Sequence, residues 1–410
     1  MRIQLQNTYF LPNQGGIETY LYYLSRALIE LGHTCEVFCY QDRERILPSE
    51  SVLDGTAVKR NHQYCPDRED LFSKLVSRPA HLLYGHPLKR QLRRSLQGVN
   101  LVLSRKAAFC YQTAKVRPNI PLIYVAAVIT PMYQRFVTSS YSLLKRLYFR
   151  LCIEPQSYFY EKEGIRLCDA VVTLSKSRAE EIAAYYGFDS KRVHVVPPGV
   201  DLRRFKPRCR DGELMKELRL NETKRVVLTV SRLEEGKNLE TLVRALSKVR
   251  CRDVVGVIVG GGSQRERLEE FARDVGVHDK LRFVGVRRDV ERFYTIADVF
   301  VHPSTYEGFG HVYLEAMASG VPCIGLKRNE PEILVATEEI IKSGKTGWIT
   351  EVNTAEAFAR DMNRLIDDDV LRNDIGQRAR DTCEKRFNWQ ACAVRLLDIY
   401  KTCGQVRRDK

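Results

Sequence analysis

The segment DVFVHPSTYEGFGHVYLEAMASG, residues 298–320, combines the patterns of a buried strand, a glycine-containing loop and a helix. The apolar run DVFVHPS predicts the strand, so Glu307 lies in the loop at its carboxyl end. Gly308 and Gly310 allow backbone angles that other residues avoid, and they leave N–H groups able to face a ligand. Glu315 follows at least one turn into the helix. A strand, a loop and a helix in this order are the repeating unit of a parallel sheet covered by helices.

The two glutamates of this segment stand eight positions apart and allow two functional interpretations. A glycoside hydrolase needs two carboxylates about 5–10 Å apart on either side of the scissile bond. Alternatively the pair is a binding device, with Glu307 on the loop and Glu315 on the helix. A purely structural interpretation is a helix-capping loop glutamate and a solvated helical glutamate. Because the two residues do not share a helix face, their spacing in sequence does not fix their separation in space.

Strands and helices alternate along the rest of the chain in two rounds. A chain of 410 residues is long for one domain, and two domains of roughly 200 residues are expected. The Pro- and Gly-rich stretch VHVVPPGVDLRRFKP predicts a domain boundary near residue 200, after which the alternation restarts with RVVLTVSRL. We therefore predict an α/β protein with an N-terminal domain at 1–200 and a C-terminal domain at 201–385. An amphipathic helix within 386–410 is expected to pack back on the N-terminal domain.

The composition limits the other classes of protein. With 44% hydrophobic and 29% charged residues the chain is typical of a soluble globular protein. The sequence lacks a run of about 18 apolar residues, so we expect no membrane span. The N-terminal MRIQLQ predicts a strand and not a signal peptide. Twelve cysteines occur without CxxC pairs or neighbouring histidines, which predicts reduced thiols in a cytosolic protein and no zinc site.

The net charge of +15 is concentrated in one segment. Residues 71–153 contain 14 Lys and Arg and no Asp or Glu. Runs of like charge commonly form solvated faces, but anionic lipid headgroups, a phosphorylated acceptor or nucleic acid would also be attracted to them. The aromatic residues of the segment come without a nucleic-acid-binding signature. We therefore expect a membrane surface or a phosphorylated acceptor, and no nucleic-acid partner.

Two further loops carry residues that bind phosphate groups in other proteins. In VSRLEEGKNLETL, Arg232 and Lys237 lie between a strand and a helix, an arrangement suited to a diphosphate. In VIVGGGSQRERL, Gly260 to Gly262 separate a strand from a helix, but Arg265 stands about where the dinucleotide fingerprint needs its third glycine. This partial match favours close backbone approach to some nucleotide over NAD binding. The plain alternative for both stretches is a surface loop with ordinary charges.

Together these motifs resemble glycosyltransferase family 4. SRLEEGK, VGGGSQ, FVGV, EGFG followed by LEAMASG, and SGKTGW occur in the order and spacing typical of that family. In the N-terminal half, GGIETYLYYLSRALIELGHTCEVF resembles the family's first loop and helix, whereas residues 40–150 lack a recognisable match. The resemblance implies the GT-B fold, two Rossmann-like doubly wound domains that face each other across a cleft. It also implies a retaining, metal-independent transferase that uses a UDP- or GDP-sugar as donor and needs no cofactor.

The resemblance further implies roles for individual residues. Arg232 and Lys237 would hold the donor diphosphate and stabilise the leaving group. Glu307 would bind hydroxyl groups of the donor sugar, and Glu315 would accept hydrogen bonds from the ribose hydroxyls. The implied catalytic residues are Arg232, Lys237 and Glu307. The implied donor-binding residues are Gly15, Gly16, Gly260, Gly262, Val286, Gly308, Phe309, Gly310 and Glu315.

Two elements depart from the family pattern. Many members carry a His at the end of a middle strand of the N-terminal domain, and the counterpart here, LIYVAAVITPM, has none; His86 is a candidate for that role. The family's PEIV element, which precedes a glycine at a fixed spacing, matches two places in this chain. Pro331–Glu332 has its Pro-Glu dipeptide, whereas Glu339 has its spacing to the following glycine, Gly344. We assign Glu339 as the counterpart, with residues 328–336 lengthening the donor-side loop.

The sequence thus predicts a retaining hexosyltransferase that moves a sugar from a nucleotide-sugar donor to a glycan, lipid-linked or phosphorylated acceptor. The expected context is cell-envelope or glycolipid polysaccharide biosynthesis, in the cytoplasm and peripheral on the inner face of the membrane through residues 71–153. No general base stands out, and fixed cations with backbone dipoles would stabilise the departing diphosphate. Two alternatives stay open: a nucleotide-sugar epimerase on the same fold, and a catalytically silent nucleotide-sugar-binding protein.

Overall fold

The computed structural model describes residues 1–11, 16–41, 47–64, 89–117, 119–137, 142–189 and 192–408. The chain forms two compact units. The first contains Met1–Pro197 together with Trp389–Lys410, and the second contains Pro198–Asn388. The chain passes from the first unit to the second between Pro197 and Pro198, within the predicted boundary stretch. The C-terminal helix belongs to the first unit.

The first unit is built on a sheet of eight described strands in the order β3-β4-β2-β1-β5-β6-β7-β8. Its strands are β1 Arg2–Gln6, β2 Thr34–Gln41, β3 Glu50–Leu53, β4 Thr56–Tyr64, β5 Leu101–Ser104, β6 Leu122–Ala126, β7 Ala170–Thr173 and β8 Val193–Val195. The neighbours pair in parallel, apart from the antiparallel hairpin of β3 and β4. The chain order therefore reverses between β1 and β5, which makes this a doubly wound sheet.

Helices cover this first sheet. Their described ranges are Gly16–Glu30, Ala107–Val116, Thr130–Val137, Leu143–Tyr148, Glu154–Leu167, Lys176–Tyr186 and Trp389–Arg408, with a π-helical turn at Phe149–Ile153. The C-terminal helix packs on the first helix, where the Trp389 ring meets Tyr20 edge-on at 5.3 Å and stacks on Tyr23 at 5.8 Å between ring centroids. These aromatic contacts explain why the last helix is part of the first unit.

The second unit contains a sheet of six described strands in the order β11-β10-β9-β12-β13-β14, paired in parallel throughout. Its strands are β9 Arg225–Val230, β10 Val254–Val259, β11 Leu281–Gly285, β12 Val299–His302, β13 Cys323–Leu326 and β14 Gly347–Thr350. Its helices are Gly212–Glu217, Leu239–Leu246, Arg265–Asp274, Val290–Ile296, His311–Ala318, Thr337–Ile340, Ala355–Ile366 and Asp369–Arg386, with a 3-10 turn at His278–Lys280. Here the chain order reverses between β9 and β12.

The apolar strands of the second unit are buried on both faces. Every residue of β10, β12 and β13 is buried, as expected for parallel strands between two helical layers. The apolar faces of the flanking helices complete one core cluster with these strands. The strands predicted from the runs RVVLTV, VVGVIV and DVFVH are confirmed, whereas β3 and β4 were not predicted. Among the described helices, none is both long enough and apolar enough to cross a bilayer.

Candidate functional site

The candidate site lies in the second unit, where the chain order of the sheet reverses between β9 and β12. The two strands are neighbours in parallel register, so the loops that follow them leave the sheet at the same edge. Doubly wound sheets bind their ligands at this position. The loop after β9 carries Arg232 and Lys237, and the loop after β12 carries Glu307.

Hydrogen bonds between the two loops fix the backbone next to Lys237. The Thr305 N–H donates to the Gly236 carbonyl at 2.9 Å, and the Ser304 hydroxyl donates to the same carbonyl at 3.0 Å. Gly236 immediately precedes Lys237, while Ser304 and Thr305 shortly precede Glu307. The tertiary structure thereby sets the distance between two loops that are remote in sequence.

Lys237 and Glu307 form a hydrogen-bonded ion pair, although 70 positions separate them in sequence. The Glu307 Oε1 atom that accepts this bond also lies 2.9 Å from Nε2 of His302, the last residue of β12. Exposure of the three side chains is low, at 14% for Lys237, 18% for Glu307 and 2% for His302. One carboxylate is therefore held between an ammonium group and an imidazole at the carboxyl edge of the sheet.

The Glu307 carboxyl group is ionised at neutral pH. Burial alone would raise its pKa, but the Lys237 ammonium and the contact with His302 outweigh burial, and the pKa falls far below its ordinary value. An ionised carboxylate accepts hydrogen bonds and has no proton to donate. Glu307 is thus suited to binding hydroxyl groups and unsuited to general-acid catalysis.

Aromatic packing and one backbone hydrogen bond orient His302. Its ring stacks on Phe300 with 6.1 Å between centroids and meets Tyr313 edge-on at 5.4 Å. The Tyr313 hydroxyl donates to the His302 carbonyl at 2.8 Å. His302 is absent from the sequence-predicted set. Its place as the last strand residue before the Glu307 loop is the signal that could have identified it.

Gly310 precedes the helix that carries Tyr313 and Glu315, and its backbone is left-handed with φ of 98°. A Cβ atom at Gly310 would lie 2.7 Å from the Tyr313 ring, so both the backbone angle and the packing require glycine. The N-cap position of this helix is Gly310 itself, which has no side chain, and the capping interpretation of Glu307 stays a prediction. Phe309 is buried and packs on Phe387, and the contact of its backbone with a donor stays a prediction.

Glu315 is partly exposed and accepts a hydrogen bond from the Tyr294 hydroxyl at 2.9 Å. Burial raises the pKa of Glu315 to about 7, against the opposing effects of the Tyr294 hydrogen bond and the Arg204 charge. The two glutamates therefore differ in state, since Glu307 stays ionised while Glu315 changes protonation near neutral pH. Tyr294 is another residue of the site that the sequence did not identify.

Arg232 is more exposed than Lys237, with 58% of its side chain accessible. Its Nη1 atom donates to Oε1 of Glu234 at 2.9 Å. The structure thus groups Lys237 with Glu307 and His302, and pairs Arg232 with a carboxylate of its own loop. The Arg232 guanidinium thus lies exposed on a loop at this edge of the sheet, and its contact with an anionic ligand stays a prediction.

Gly260 and Gly262 are explained by the packing of two loops. A Cβ atom at Gly260 would lie 1.8 Å from the carbonyl oxygen of Ser231, and one at Gly262 would lie 2.3 Å from that of Leu233. Backbone hydrogen bonds of 2.9 Å extend the pairing of β9 and β10 into these loops. The two glycines therefore let the loop that carries Arg232 pass across its neighbour. Their contact with a nucleotide stays a prediction.

The other predicted residues occupy several places. Val286 follows β11 and is 75% exposed. Gly308 lies in the loop beside Glu307, and Gly16 is the first residue of the helix that follows β1 in the first unit. Gly15 and His86 lie outside the described residues.

Residues 328–336, which are predicted to lengthen the donor-side loop, pack directly against Glu307. The Glu307 N–H donates to the Leu334 carbonyl at 3.1 Å, and the Leu334 N–H donates to the Thr305 carbonyl at 2.8 Å. Glu332 is exposed, and Glu339 lies in a short helix farther along the chain. The segment therefore supports the Glu307 loop, while the assignment of Glu339 stays a prediction.

The site as a whole offers one ammonium group, one exposed guanidinium and one permanently ionised carboxylate. Cations of this kind bind anionic groups, and the carboxylate binds hydroxyl groups. Within the described ranges, no group of three or more His, Cys, Asp or Glu is placed to hold a metal ion. The arrangement suits a ligand that carries both an anionic part and a polyhydroxyl part.

Comparison with known proteins agrees with this geometry. Residues 14–204 match the family model described as Glycosyltransferase Family 4, and residues 211–382 match the model described as Glycosyl transferases group 1. A D-inositol 3-phosphate glycosyltransferase of Xylanimonas cellulosilytica is 27% identical over 408 residues, which is 94% of this chain and 91% of that protein. A GDP-mannose-dependent α-(1-6)-phosphatidylinositol monomannoside mannosyltransferase of Mycobacterium tuberculosis is 33% identical over 246 residues, 57% of this chain and 62% of that protein.

A solved structure of similar fold is Anabaena HepE in complex with UDP and glucose. It superposes with a TM-score of 0.75 at 18% identity and covers 98% of this chain and 100% of its own. Together with the two doubly wound sheets, this similarity confirms the predicted GT-B fold.

Proposed function

Because this chain belongs to glycosyltransferase family 4, we propose that it is a retaining hexosyltransferase with a nucleotide-sugar donor and a phosphorylated or lipid-linked acceptor. One observation carries the proposal. The Glu307 carboxylate is held between Lys237 and His302 at the order reversal of the second sheet. The cluster has an ammonium group beside a carboxylate, and a nucleotide sugar contains an anionic diphosphate next to sugar hydroxyls, which supports the proposal.

The donor diphosphate binds to Lys237 and Arg232 in this proposal. Departure of a nucleoside diphosphate develops negative charge on its terminal oxygens, and fixed cations stabilise that charge in the transition state. Lys237 has three N–H donors, so it can keep its bond to Glu307 and still donate to a phosphate oxygen. Arg232 lies on the exposed side of the same loop and adds a second cation. These two side chains supply the charge in a metal-independent reaction.

The donor sugar binds to Glu307, and the ribose binds to Glu315. The ionised Glu307 accepts hydrogen bonds from sugar hydroxyls and is too weakly basic to remove a proton from the acceptor. We therefore propose that the acceptor oxygen bonds to the anomeric carbon on the face from which the phosphate leaves, which retains the anomeric configuration. As the bond from the anomeric carbon to the phosphate oxygen breaks, the departing phosphate takes the acceptor proton. Glu315, beside Tyr294, accepts hydrogen bonds from the ribose hydroxyls; it lies in the helix that follows the Glu307 loop.

The acceptor proposal rests on chemistry shared by the two relatives. Their printed names specify D-inositol 3-phosphate and a phosphatidylinositol mannoside, and both molecules contain a phosphate group. We propose that this chain likewise acts on an acceptor with a phosphate, in cell-envelope or glycolipid polysaccharide biosynthesis. The cytoplasm supplies nucleotide sugars and is the proposed location.

We further propose that an anionic membrane surface holds the first unit through the helical segment 143–153. Four leucines of this segment are between 51% and 80% exposed, namely Leu143, Leu144, Leu147 and Leu151. Lys145, Arg146 and Arg150 alternate with them, and the segment contains no acidic residue. Exposed leucines with interleaved cations are typical of helices that lie in the membrane interface.

A donor-only assay followed by an acceptor assay tests the proposed function. Thermal unfolding with UDP, GDP and ADP identifies the nucleotide, and the matching nucleotide sugars are then incubated with the enzyme alone. We expect stabilisation by one nucleoside diphosphate, slow hydrolysis of its sugar, and transfer when a phosphorylated acceptor is added. Conversion of the donor to an epimeric nucleotide sugar without acceptor would favour an epimerase. Nucleotide binding without any turnover would favour a silent binding protein.

A further inference from the structure

A buried arginine stands at the order reversal of the first sheet. Arg105 follows β5 directly, and its N–H donates to the carbonyl of Gln6 at the end of the neighbouring strand β1 at 2.8 Å. The side chain therefore begins at the carboxyl edge, between the two strands where the chain order reverses. This is where doubly wound sheets bind ligands. The first unit thus has, at the equivalent position, a cation of its own.

The Arg105 guanidinium is buried without a carboxylate partner among the described residues. Arg105 is 8% exposed, and its Nε and Nη1 atoms are buried and have no hydrogen-bond partner within the described ranges. Its carbon Cζ lies 4.5 Å from the centre of the Tyr20 ring. Glu18 attracts the guanidinium electrostatically, but no ion pair joins the two in the described part of the chain. A buried arginine is ordinarily paired, because an uncompensated buried charge is costly.

Two buried tyrosines, Tyr20 and Tyr124, interact with Arg105. Tyr20 is fully buried and lies against Cys392 of the C-terminal helix. Tyr124, which also interacts electrostatically with Arg105, donates its hydroxyl hydrogen to the buried Glu161. Burial lowers the pKa of Arg105, and the nearby tyrosines oppose this effect. The guanidinium thus lies over the Tyr20 ring while two of its nitrogen atoms lack an acceptor.

We infer that Arg105 is the receptor for the anionic group of the acceptor, a phosphate that it binds through Nε and Nη1 at the junction of β1 and β5. The inference rests on the proposed function, in which the second unit holds the donor diphosphate with Lys237 and Arg232. A guanidinium presents two parallel N–H groups that match two oxygens of one phosphate. Binding of the anion provides the acceptor that these nitrogen atoms lack and compensates the buried charge.

Inorganic phosphate is the probe for this site. The unfolding temperature is measured at increasing phosphate concentrations, and isothermal titration measures the phosphate affinity. Chloride keeps the ionic strength constant. We expect saturable stabilisation of the wild-type protein, a loss of phosphate affinity of about tenfold or more in Arg105→Met, and partial retention in Arg105→Lys. Arg166→Met removes an exposed cation of the same unit and serves as the control, with an unchanged phosphate response.

Stability in the absence of phosphate separates this role from a structural one. Removal of an uncompensated buried charge relieves its desolvation cost, so Arg105→Met should unfold at a temperature equal to or above that of the wild type. An Arg105→Met protein that unfolds earlier and keeps the phosphate response would show a packing role and overturn the proposal. A wild type without any phosphate response would show a guanidinium satisfied by water, and would overturn it too.

The source of the anion is distinguished with nucleotides. If phosphate still stabilises the protein at saturating nucleoside diphosphate, the result supports an acceptor site. If the stabilisation by phosphate disappears, Arg105 binds the donor, and the acceptor assignment is overturned. Failure of the proposed function itself has a different signature, because the wild type would then bind no nucleoside diphosphate at all. Nucleotide binding without an Arg105-dependent phosphate response would refute the present inference alone.

Discussion

The ammonium group of Lys237 donates to Oε1 of Glu307, and this bond joins the two loops at the order reversal of the second sheet. His302 contacts the same oxygen from the end of β12. The pair keeps a carboxylate ionised in a largely covered position, and the cation remains able to bind a second anion. The predictions below start from this cluster.

Glu307→Gln is expected to reduce kcat/KM for sugar transfer by roughly 10²–10³-fold. The amide keeps the volume of the side chain but removes the charge that pairs with Lys237 and one acceptor for the sugar hydroxyls. Steady-state kinetics with the identified donor measure the effect. Glu356→Gln, at an exposed position of the same unit, is the control and should keep wild-type rates. Equal rates in the two variants would refute the role of Glu307.

His302 is expected to act as a positioning residue for Glu307. His302→Phe keeps a ring stacked on Phe300 but removes the nitrogen that contacts Glu307, so the KM for donor should rise by about tenfold while the protein still folds. His302→Gln keeps an N–H donor and should recover part of the affinity. A KM that is the same in both variants and in the wild type would show that the contact has no part in binding.

Nucleotide affinity is expected to fall as the pH decreases below about 7. The raised pKa of Glu315 means that its carboxyl group gains a proton in this range, and a protonated carboxyl loses an acceptor for the ribose hydroxyls. Isothermal titration of the nucleoside diphosphate between pH 6 and 8.5 measures the dependence. It should be absent in Glu315→Gln and with the 2′,3′-dideoxy nucleotide in the wild type. A dependence that survives both changes would originate elsewhere.

Gly260→Ala is expected to destabilise the second unit by roughly 2–6 kcal/mol. The new Cβ would overlap the Ser231 carbonyl, and the φ of 140° is strained for alanine. Gly212→Ala is the matched control, because its Cβ meets nothing within 4 Å at the start of a helix, and it should be neutral or stabilising by up to about 1 kcal/mol. Chemical denaturation of the two variants measures the difference. Similar stability in both would contradict the packing explanation.

Binding to anionic vesicles is expected to depend on the exposed leucines and on salt. Leu144→Ser combined with Leu147→Ser should reduce binding to vesicles of anionic phospholipid by about tenfold. Each substitution removes apolar surface that the leucine would bury in the membrane interface. Higher salt should weaken binding of the wild type by screening its cations. Val370→Ser, at an equally exposed apolar position of the second unit, is the control. Equal sedimentation with neutral vesicles would count against the proposal.

Much of the second unit could be predicted because its determinants are local. The apolar runs of β9, β10 and β12 fix buried parallel strands, and the segments between them have helical periodicity. Glu307 and Lys237 were predicted from their positions after strands, and the structure brings them together. The hairpin β3–β4 was missed, because its partly exposed residues lack the continuous apolar pattern of the central strands.

The amino-acid sequence by itself determined the alternation of strands and helices, and with it which residues occupy the carboxyl edges of the two sheets. The tertiary structure decided which loops are neighbours at those edges, because strand order depends on long-range packing that sequence periodicity does not contain. For that reason the sequence did not identify the contact of His302 with Glu307, the hydrogen bond from Tyr294 to Glu315, or the uncompensated charge of Arg105. Each of these depends on the burial of a side chain among residues from distant parts of the chain, and burial is what shifts a pKa or leaves a cation without a partner.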